Sequence, residues 1–358
     1  MRTKYYGNSF DNLFVSSSTI RETFYGLDGD DVFNFYNGSN AFFFGDFSDR
    51  FIGGSGNDLM QNLSAGWNDY TLYSGLSFDG GAGYDTVTYD LTGSLFGVVG
   101  DATLTASIDL TQFTTLERSV EHHEFEIDAS IAEDIEGTLG VVGGGGDETV
   151  KLNFTRAGHT ITEFSDIEVS VSLGAGHDRF EFTGERTIMS ELKINTGTGN
   201  DVVIVNSSAT TSPDVSRSMI TTGAGNDTVV LEGMHQEIVK TGGGADDIYI
   251  LSGNFSDRSD VVDTGGGSDE IFLELDEYSK LVRIRDFDVA KDTIIFDDQE
   301  TRDTTVLFDR VLWENSTDPR LYMDNAAGTL YFGENVLATF DGGVNLTADN
   351  FETGTWLF

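Results

Sequence analysis

The sequence predicts an all-β protein in which one short structural repeat is stacked many times to form a parallel β-solenoid. Three observations lead to this prediction. Glycine recurs in the pattern G-x-G-x-D, apolar residues alternate with polar ones after each copy, and acidic residues greatly outnumber basic ones. A recurring glycine pattern is typical of solenoids, and alternation with a period of two is typical of a strand with one buried face. Helix should therefore be minor, below about a quarter of the residues.

Eight copies of the glycine pattern are present, three early and five late in the chain. The second residue after the final aspartate of each copy is apolar, as in Phe33 after Asp31 and Phe180 after Asp178. Only glycine takes at low cost the backbone conformations that such tight turns need. The turn residues are Gly26, Asp28, Asp31, Gly53, Gly54, Gly56, Asp58, Gly80, Gly81, Gly83, Asp85, Gly174, Gly176, Asp178, Gly197, Gly199, Asp201, Gly223, Gly225, Asp227, Gly242, Gly244, Asp246, Gly265, Gly267 and Asp269.

Two further segments are degenerate copies of the pattern. In the run GGGGDET the alternation decides which acid is equivalent to the motif aspartate, because only Glu148 is followed two and four residues later by apolar Val150 and Leu152. Residues 7–11, followed by Leu13 and Val15, are interpreted as a worn first copy that caps the roll, with Asp11 as its acid.

The charge and composition exclude several classes of protein. With 20 Lys and Arg against 61 Asp and Glu, the net charge is −41, which disfavours nucleic-acid binding and adsorption to an anionic membrane. There is no cysteine, so neither a disulfide nor a thiolate metal site is expected. The sequence has no apolar run of about 18 residues, and residues 1–17 lack the apolar core of a secretory signal. Such clustered carboxylates need a counter-ion, and Ca²⁺ is the ion best suited to carboxylate and carbonyl oxygens.

The repeat resembles the nine-residue calcium-binding motif of the RTX (hemolysin-type) family. That resemblance implies a right-handed parallel β-roll and several Ca²⁺ ions, each held between stacked turns by motif carboxylates and glycine carbonyls. The ligand residues would be the turn residues given above. The alternative is a metal-free solenoid in which the Gly-Asp segments are only turns.

The spacing of the copies predicts one motif per coil. Successive motif acids are 27 residues apart from Asp31 to Asp85 (58 − 31, 85 − 58) and 19 to 26 apart from Asp178 to Asp269 (201 − 178 = 23, 227 − 201 = 26, 246 − 227 = 19, 269 − 246 = 23). In the family's roll one coil has 18 residues, so longer coils imply calcium turns on one edge and ordinary turns on the other.

From about residue 276 glycine becomes scarce. The runs Leu321–Met323 and Leu330–Phe332 flank a polar turn and predict a hairpin, which would close the solenoid as an antiparallel cap. This segment resembles the C-terminal part of proteins exported by type I ABC-transporter systems. The resemblance implies a secretion signal ending in Trp356–Phe358, the transporter as a partner, and a secreted, extracellular or cell-surface location.

We therefore predict four segments: N-terminal coils in 1–90, an irregular or inserted β segment in 91–142, the main roll in 143–275 and the cap in 276–358. Within the second segment, the alternating run from Thr103 to Leu110 predicts a strand, and the acidic run from Leu116 to Ile135 is compatible with a short helix. The sequence leaves open whether this segment is a bulge on the roll or a small inserted domain.

No catalytic motif is recognisable in the sequence. The patch Val120–Glu124 lacks the i, i+4 histidine pair of HExxH, and neither a nucleophile elbow nor a phosphate loop occurs. We favour a non-enzymatic extracellular calcium-binding protein that acts as a structural, surface-layer, matrix or adhesive component. Its partner would be a second copy or a cell-surface polysaccharide. The alternative is a secreted carbohydrate-active enzyme similar to a polysaccharide lyase or epimerase, although a charge of −41 argues against polyanionic substrates.

Overall fold

The computed structural model divides the chain into two compact units, Met1–Ser190 (unit 1) and Glu191–Phe358 (unit 2). It describes residues 3–16, 22–29, 31–35, 50–55, 57–64, 70–71, 77–82, 86–90, 101–109, 122–128, 134–143, 145–155, 166–184, 189–207, 218–233, 237–251, 260–275, 281–297, 305–308, 310 and 321–354.

Unit 1 is built from short strands in which β-branched and aromatic residues alternate with polar ones, the pattern of a strand with one buried face. These strands are β1 (Thr3–Tyr6), β2 (Leu13–Ser16), β3 (Glu22–Asp28), β4 (Val32–Phe35), β5 (Arg50–Ser55), β6 (Leu59–Ser64), β7 (Tyr70–Thr71), β8 (Ser77–Ala82), β9 (Thr86–Asp90), β10 (Asp101–Asp109), β11 (His122–Asp128), β12 (Asp134–Val142), β13 (Thr149–Thr155), β14 (Asp166–Ala175) and β15 (Arg179–Gly184).

The strands of unit 1 alternate between two sides. On one side lies the sheet β2-β4-β6-β9-β11-β13-β15, and on the other lie two separate sheets, β1-β3-β5-β8 and β7-β10-β12-β14. The coil between β6 and β9 contributes two strands to the second side, β7 and β8. The pairings are parallel throughout. Parallel strands that are consecutive in one stack require the chain to cross to the other stack and return, which is the arrangement of a β-solenoid.

Unit 2 continues the same alternation of short strands. They are β16 (Met189–Thr198), β17 (Val202–Ser207), β18 (Ser218–Ala224), β19 (Thr228–Glu232), β20 (Glu237–Gly243), β21 (Asp247–Ile250), β22 (Asp260–Asp263), β23 (Glu270–Leu273), β24 (Val282–Ile284), β25 (Thr293–Asp297), β26 (Val306–Leu307), β27 (Leu321–Asp324), β28 (Thr329–Phe332), β29 (Asn335–Phe340) and β30 (Phe351–Gly354), with a 3₁₀ turn at Ala348–Asn350 before the last strand.

The two stacks of unit 2 are parallel until the cap. One has the order β17-β19-β21-β23-β25-β30, and the other begins β16-β18-β20-β22-β24 and continues through β29, β28, β27 and β26. Strands β27 and β28 form an antiparallel hairpin in which Tyr322 pairs with Tyr331, and β28 is antiparallel to β29. The predicted hairpin and antiparallel cap are therefore confirmed.

The core of unit 2 lies between its two stacks. In β21 the alternate residues Ile248 and Ile250 are buried, whereas Tyr249 between them is only half-buried. The same core includes Ile284, Phe296 and inward residues of the cap. Alternating burial in β20, β21 and β22 confirms the period-two interpretation for these strands. In β23 all three of Ile271, Phe272 and Leu273 are buried.

The fold class is confirmed as an all-β parallel solenoid with its motif turns on one edge. Motif turns join β18 to β19 and β20 to β21, always in the same sense, and β14 to β15 in unit 1. Helix is minor in the described ranges, as expected, since only the 3₁₀ turn Ala348–Asn350 and the single residue Arg310 are helical there. None of the described segments forms a helix long and apolar enough to cross a membrane. The handedness of the coils stays a prediction.

The predicted second segment, 91–142, contains strands that belong to the stacks. Strand β10 pairs with β12, and β11 pairs with both β9 and β13. The strand predicted from Thr103 is therefore confirmed. Of the run in which a short helix was considered, residues 122–128 and 134–135 are strand, and the remaining residues lie outside the described part of the chain. The four predicted segment boundaries stay predictions.

Candidate metal centre

Close stacking of the coils explains why the motif turns need glycine. Strand β18 ends at Ala224 and β19 begins at Thr228, so three residues make the turn. Gly223 and Gly225 have φ values of +100° and +137°, a region that other residues rarely adopt. A Cβ atom on Gly225 would lie 1.6 Å from the carbonyl oxygen of Gly199 in the preceding coil. Any side chain there would push the two coils apart.

The motif acids face the interior of the solenoid. Asp201, Asp227, Asp246 and Asp269 are 0 or 1% exposed, as buried as the valines and isoleucines that follow them two residues later. Asp31, Asp58 and Asp178 in unit 1 are equally buried. The prediction that Glu148, not Asp147, takes this position in the degenerate copy is confirmed, because Glu148 is 2% exposed and Val150 and Leu152 are buried.

Each acid accepts a hydrogen bond from the main chain of the coil before it. The N–H groups of Asp201, Asp227 and Asp246 donate to Oδ1 of Asp227, Asp246 and Asp269 at 2.9, 2.9 and 3.0 Å. In unit 1 the N–H of Asp31 donates to Asp58 Oδ1 at 2.8 Å, and the same contact joins Glu148 to Asp178 at 2.8 Å. The acids thus form a column along the solenoid, which we call the acid column.

The second carboxylate oxygen makes the acid column chemically unusual. Oδ2 of Asp31, Asp227, Asp246 and Asp269 is buried and accepts no hydrogen bond from the described residues. Leaving a buried charged oxygen without a donor costs several kcal/mol in an apolar environment. Such an atom is stabilised by a proton or by a cation.

Burial raises the pKa of three of these carboxyl groups. Desolvation is the largest cause for Asp227 and Asp269, and it raises the pKa of each to about 6. The pKa of Asp246 is raised for the same reason. Hydrogen bonding opposes the effect, and for Asp227 the nearby Thr222 hydroxyl also lowers the pKa. That hydroxyl donates to the carbonyl of Thr241 at 3.2 Å. Asp227 and Asp269 therefore change between protonated and charged forms not far below neutral pH.

The acid column and its glycine turns contain the kinds of oxygen that a hard divalent cation takes as ligands. Ca²⁺ takes six to eight oxygen ligands, which include both carboxylates and main-chain carbonyls. In the described residues, no three acidic or histidine side chains gather around one point. One carboxylate per coil would therefore supply the charge, and turn carbonyls such as those of Gly197, Gly199 and Gly225 would supply the remaining ligands.

The predicted turn residues of the early copies lie at equivalent positions in stacked strands. Leu27, Gly54 and Gly81 are in register, as are Asp28, Ser55 and Ala82. Gly26, Gly53 and Gly80 precede these residues in the same strands, β3, β5 and β8. Leu27 has a φ of +87° in the place where the next two coils have glycine. The predicted residues Gly56, Gly83 and Asp85 lie outside the described residues.

The interpretation of the worn first copy is wrong by one residue. Asn12, not Asp11, is equivalent to Asp31, since its N–H and its Nδ2 both donate to Asp31 Oδ1 at 2.8 Å. Accordingly Leu13 pairs with Val32 and is 67% exposed, whereas Phe14 is half-buried. A carboxamide has N–H groups to donate to Asp31, which a carboxylate lacks, and it adds no like charge to the column.

Sequence reasoning missed the last member of the acid column. Asp292 is 3% exposed and lies 23 residues after Asp269 (292 − 269), and the buried residues Ile294 and Phe296 follow it. Its Oδ1 accepts from Asp269 N at 3.2 Å and its Oδ2 from Asp288 N at 2.7 Å. The spacing and the alternation were available as signals, but no glycine pattern precedes it.

Three other buried or capping acids carry no motif at all. Asp286 accepts from the N–H groups of Thr264 and Gly265 at 2.9 and 2.6 Å, at the start of the last glycine turn. Glu237 and Asp260, at the starts of β20 and β22, are 0 and 1% exposed, and the N–H of Glu237 donates to Asp260 Oδ1 at 3.1 Å. These roles depend on contacts between coils, which a linear pattern does not reveal.

No known protein family, curated protein or solved structure matches the chain. The similarity to RTX proteins therefore rests on the motif, and membership of that family stays a prediction.

Proposed function

We propose that the chain is an extracellular calcium-binding structural protein whose coils are held together by Ca²⁺ at the acid column. The observation that carries this proposal is the burial of one motif acid per coil with an oxygen that lacks a donor, as in Asp227, Asp246 and Asp269. A metal-free solenoid has no need for ionisable side chains at these inward positions, where Val or Thr would be less costly to bury.

The acids of the column would hold the ion together with the main chain. Asp227, Asp246 and Asp269 would each contribute a carboxylate, and the glycine turns would contribute carbonyls without side-chain obstruction. Bound calcium supplies the positive charge that these buried carboxylates lack. Because the unfolded chain cannot bring the turns together, binding would favour the native state by mass action.

An extracellular location follows from the affinity expected of such sites. Extracellular calcium modules bind Ca²⁺ with a dissociation constant of about 10⁻⁴ to 10⁻³ M. Sites of that affinity stay empty at the free calcium concentration inside cells. The resemblance of residues 276–358 to type I export segments supports the same location. A structural role is supported by the share of the chain that the repeats and the cap occupy, from residue 26 to the end of β30.

Adjacent aspartates offer a matched test of calcium binding. Asp246 is fully buried in the column, whereas its neighbour Asp247 is half-buried on the outer face of the same strand. In calorimetric titration of the full chain with CaCl₂, Asp246→Asn should lower the number of bound ions or weaken binding about tenfold. Asp247→Asn removes the same charge and should bind like the original chain.

Equal losses in the two variants would assign calcium binding to general electrostatic attraction instead of the column.

Electron microscopy with and without millimolar CaCl₂ addresses the structural role. Ordered lattices or filaments that form only with calcium are expected for a layer or matrix component, whereas dispersed particles under all conditions would contradict that role.

A further inference from the structure

The two sheets of unit 2 carry different charges on their outer faces. In the sheet β17-β19-β21-β23-β25-β30 the strands contain no lysine or arginine, and Glu232, Glu270 and Glu352 are exposed on it. The neighbouring strands β16-β18-β20-β22-β24 of the other sheet carry four exposed cations on or directly after them, namely Lys193, Lys240, Arg283 and Arg285. We call the outer side of these five strands the cationic face.

The side chains of the cationic face form two rows that cross the strands. Strand pairing aligns the first row as Lys193, Met219, Ile238, Val261 and Arg283. It aligns the second row as Asn195, Thr221, Lys240 and Asp263. Arg285 continues the second row, since its N–H extends the ladder by donating to the Val262 carbonyl at 2.9 Å. Each row therefore places one side chain on each successive coil.

The cations recur on every second strand of this face. Lys193 lies on β16, Lys240 on β20, and the two arginines lie on and directly after β24. Neighbouring strands are about 4.7–4.9 Å apart, so this interval is about 9.4–9.8 Å. An extended linear glycan with a carboxylate on every second sugar presents its charges at a similar interval. The cationic face thus has the charge spacing of such a polymer.

The local charge of the face is positive, although the whole chain has a charge of −41. The two rows contain four cations and one acid, Asp263, which gives +3 (4 − 1). At one end Glu191 pairs with Lys193 at 2.6 Å. At the other end Asp341 pairs with Arg283 at 2.8 Å. With both acids included the charge is +1 (3 − 2). Exposed charges farther away than about 8 Å are largely screened at physiological ionic strength, so distant acids do not cancel it.

The side chains between the cations suit sugars better than nucleotides. Met219 is 39% exposed, and Ile238 and Val261 are half-buried beside it, so aliphatic groups are available to the C–H faces of sugar rings. Asn195 and Thr221 in the second row can bond to sugar hydroxyls. Neither row contains an aromatic residue, whereas binding of single-stranded nucleic acid relies on aromatic stacking.

We propose that the cationic face binds a linear acidic glycan with one carboxylate per disaccharide, whose chain runs along the solenoid across β16 to β24. The carboxylates would lie against the cations, and the sugar rings would cover the side chains between them. This inference deepens the proposed structural role, and it rests on that role only for where such a glycan is met. It does not depend on which ion fills the turns.

Binding should be weak for a short glycan and stronger for a long one. A single ion pair on an exposed surface contributes about 0–1 kcal/mol, so no one contact is sufficient. Five strands span about 19 Å, which allows one chain to meet the cations of β16, β20 and β24 together. Once one carboxylate is bound, the others on the same chain are held near their partners.

Titration calorimetry of the full chain in millimolar CaCl₂ tests the site, with hyaluronan oligosaccharides as the probe. These have one carboxylate per disaccharide, and the same oligosaccharides with reduced carboxyl groups are the matched neutral control. The acidic form should bind, and its affinity should fall as NaCl is raised. The neutral form should bind at least about tenfold more weakly, as expected when several surface ion pairs are lost.

Substitutions on and off the cationic face locate the binding. Lys240→Gln with Arg285→Gln should weaken it about tenfold. The control, Lys151→Gln with Arg179→Gln, removes two half-exposed cations from unit 1 and should bind like the original chain. Met219→Lys adds a cation to the first row at an exposed position and should strengthen binding, a gain that misfolding would not produce.

Several outcomes would overturn the glycan site. They are absence of binding by the acidic oligosaccharides, equal binding of the neutral form, equal binding of a single-stranded oligothymidylate of similar length, and unchanged affinity in the Lys240→Gln, Arg285→Gln variant. The calcium titration of this variant should match that of the original chain, because both side chains lie on the outer face. Failure of the glycan site and failure of calcium binding are therefore distinguishable.

Discussion

At the scale of single residues, the protein is organised by acids that are buried one per coil. Asp201, Asp227, Asp246 and Asp269 are buried in the solenoid. Asp227, Asp246 and Asp269 each accept a hydrogen bond from the main chain of the coil before them. The identity of the atom that approaches Oδ2 is then the central chemical question. Under the proposed function a proton and a calcium ion compete for the same place, so acidity and calcium should substitute for one another.

Metal-free protein should become more stable as the solution is acidified from pH 7 to pH 5. Burial raises the pKa of Asp227 and Asp269 from 3.8 to about 6. The native state therefore binds protons more tightly than the unfolded chain, and the resulting stability is complete below pH 3.8 and lost as pH rises through about 6. Circular dichroism in metal-stripped buffer should show little β structure at pH 7 and more at pH 6 and pH 5.

The control for this pH effect is the double variant Asp227→Asn, Asp269→Asn, whose β signal should change less over the same range. In millimolar calcium the trend should reverse for the original chain, since protons then displace the ion. A metal-free β signal that is constant or falls on acidification would mean that these carboxyl groups are not buried as described.

At the scale of elements, the turn and its glycines set the distance between coils. Alternation in the sequence was sufficient to predict the strands that follow the motifs and which of their residues face inward, because side chains on a strand change face at every residue. It chose Glu148 over Asp147 correctly. It failed at Asn12, because the first coil lacks the glycine pattern that fixes the register.

The acids that the sequence did not reveal act across coils. Asp292 and Asp286 accept main-chain N–H groups from residues more than 20 positions away, and Glu237 and Asp260 meet at the opposite edge of unit 2. Coil lengths of 19 to 26 residues vary too much for a pattern of fixed spacing to align these positions. Only the three-dimensional stacking brings them together.

Two glycines of neighbouring motifs should respond differently to alanine. Gly244 has a φ of +151°, and a Cβ there would lie 1.8 Å from the Gly225 carbonyl oxygen. Gly244→Ala should therefore destabilise the folded protein by at least about 2 kcal/mol. Gly266 has nothing within 4 Å of a Cβ, so Gly266→Ala should change stability by less than about 1 kcal/mol. Urea unfolding in calcium measures both values, and similar effects would contradict the close stacking.

At the scale of the whole molecule, a net charge of −41 opposes compaction until counter-ions bind. Under the proposed function, folding and calcium binding would occur together, because carboxylates on different coils meet only in the native stack. At the free calcium concentration of the cytosol the chain would stay unfolded, which suits passage through a narrow transporter. Folding outside would then prevent its return.

Removal of calcium should unfold the protein. Circular dichroism in excess EGTA at pH 7 should show a largely disordered chain, and millimolar CaCl₂ should restore a β spectrum. The variant Asp201→Ala, Asp227→Ala, Asp246→Ala should need more calcium for the same change. Magnesium is the matched ion control, because it prefers a smaller octahedral site and should be much less effective. A complete β spectrum in EGTA would exclude calcium-coupled folding.

Deletions at the end of the chain can test the proposed export signal separately from the folding of the cap. Asn350 is buried, and its side chain bonds Thr347 and Val289, while β30 pairs with β25. A deletion that begins at Asn350 would therefore damage the cap. Removal of residues 355–358 alone leaves these contacts in place, and it should retain the chain in the producing cell without changing its calcium midpoint in vitro. Normal release of the shortened chain would show that Trp356–Phe358 carries no export signal.

The hydrogen bonds of the acid column all run in the same direction, from the amide of one coil to the carboxylate of the next. Every internal coil therefore makes the same kind of hydrogen bond with the coil before it and with the coil after it. Excision of one whole coil, such as the 19 residues from Thr228 to Asp246, leaves the amide of Asp227 facing the carboxylate of Asp269 with no donor or acceptor lost. Such a molecule can gain or lose length by duplication or deletion of complete coils. Insertion or deletion of part of a coil would break the hydrogen bond between neighbouring coils.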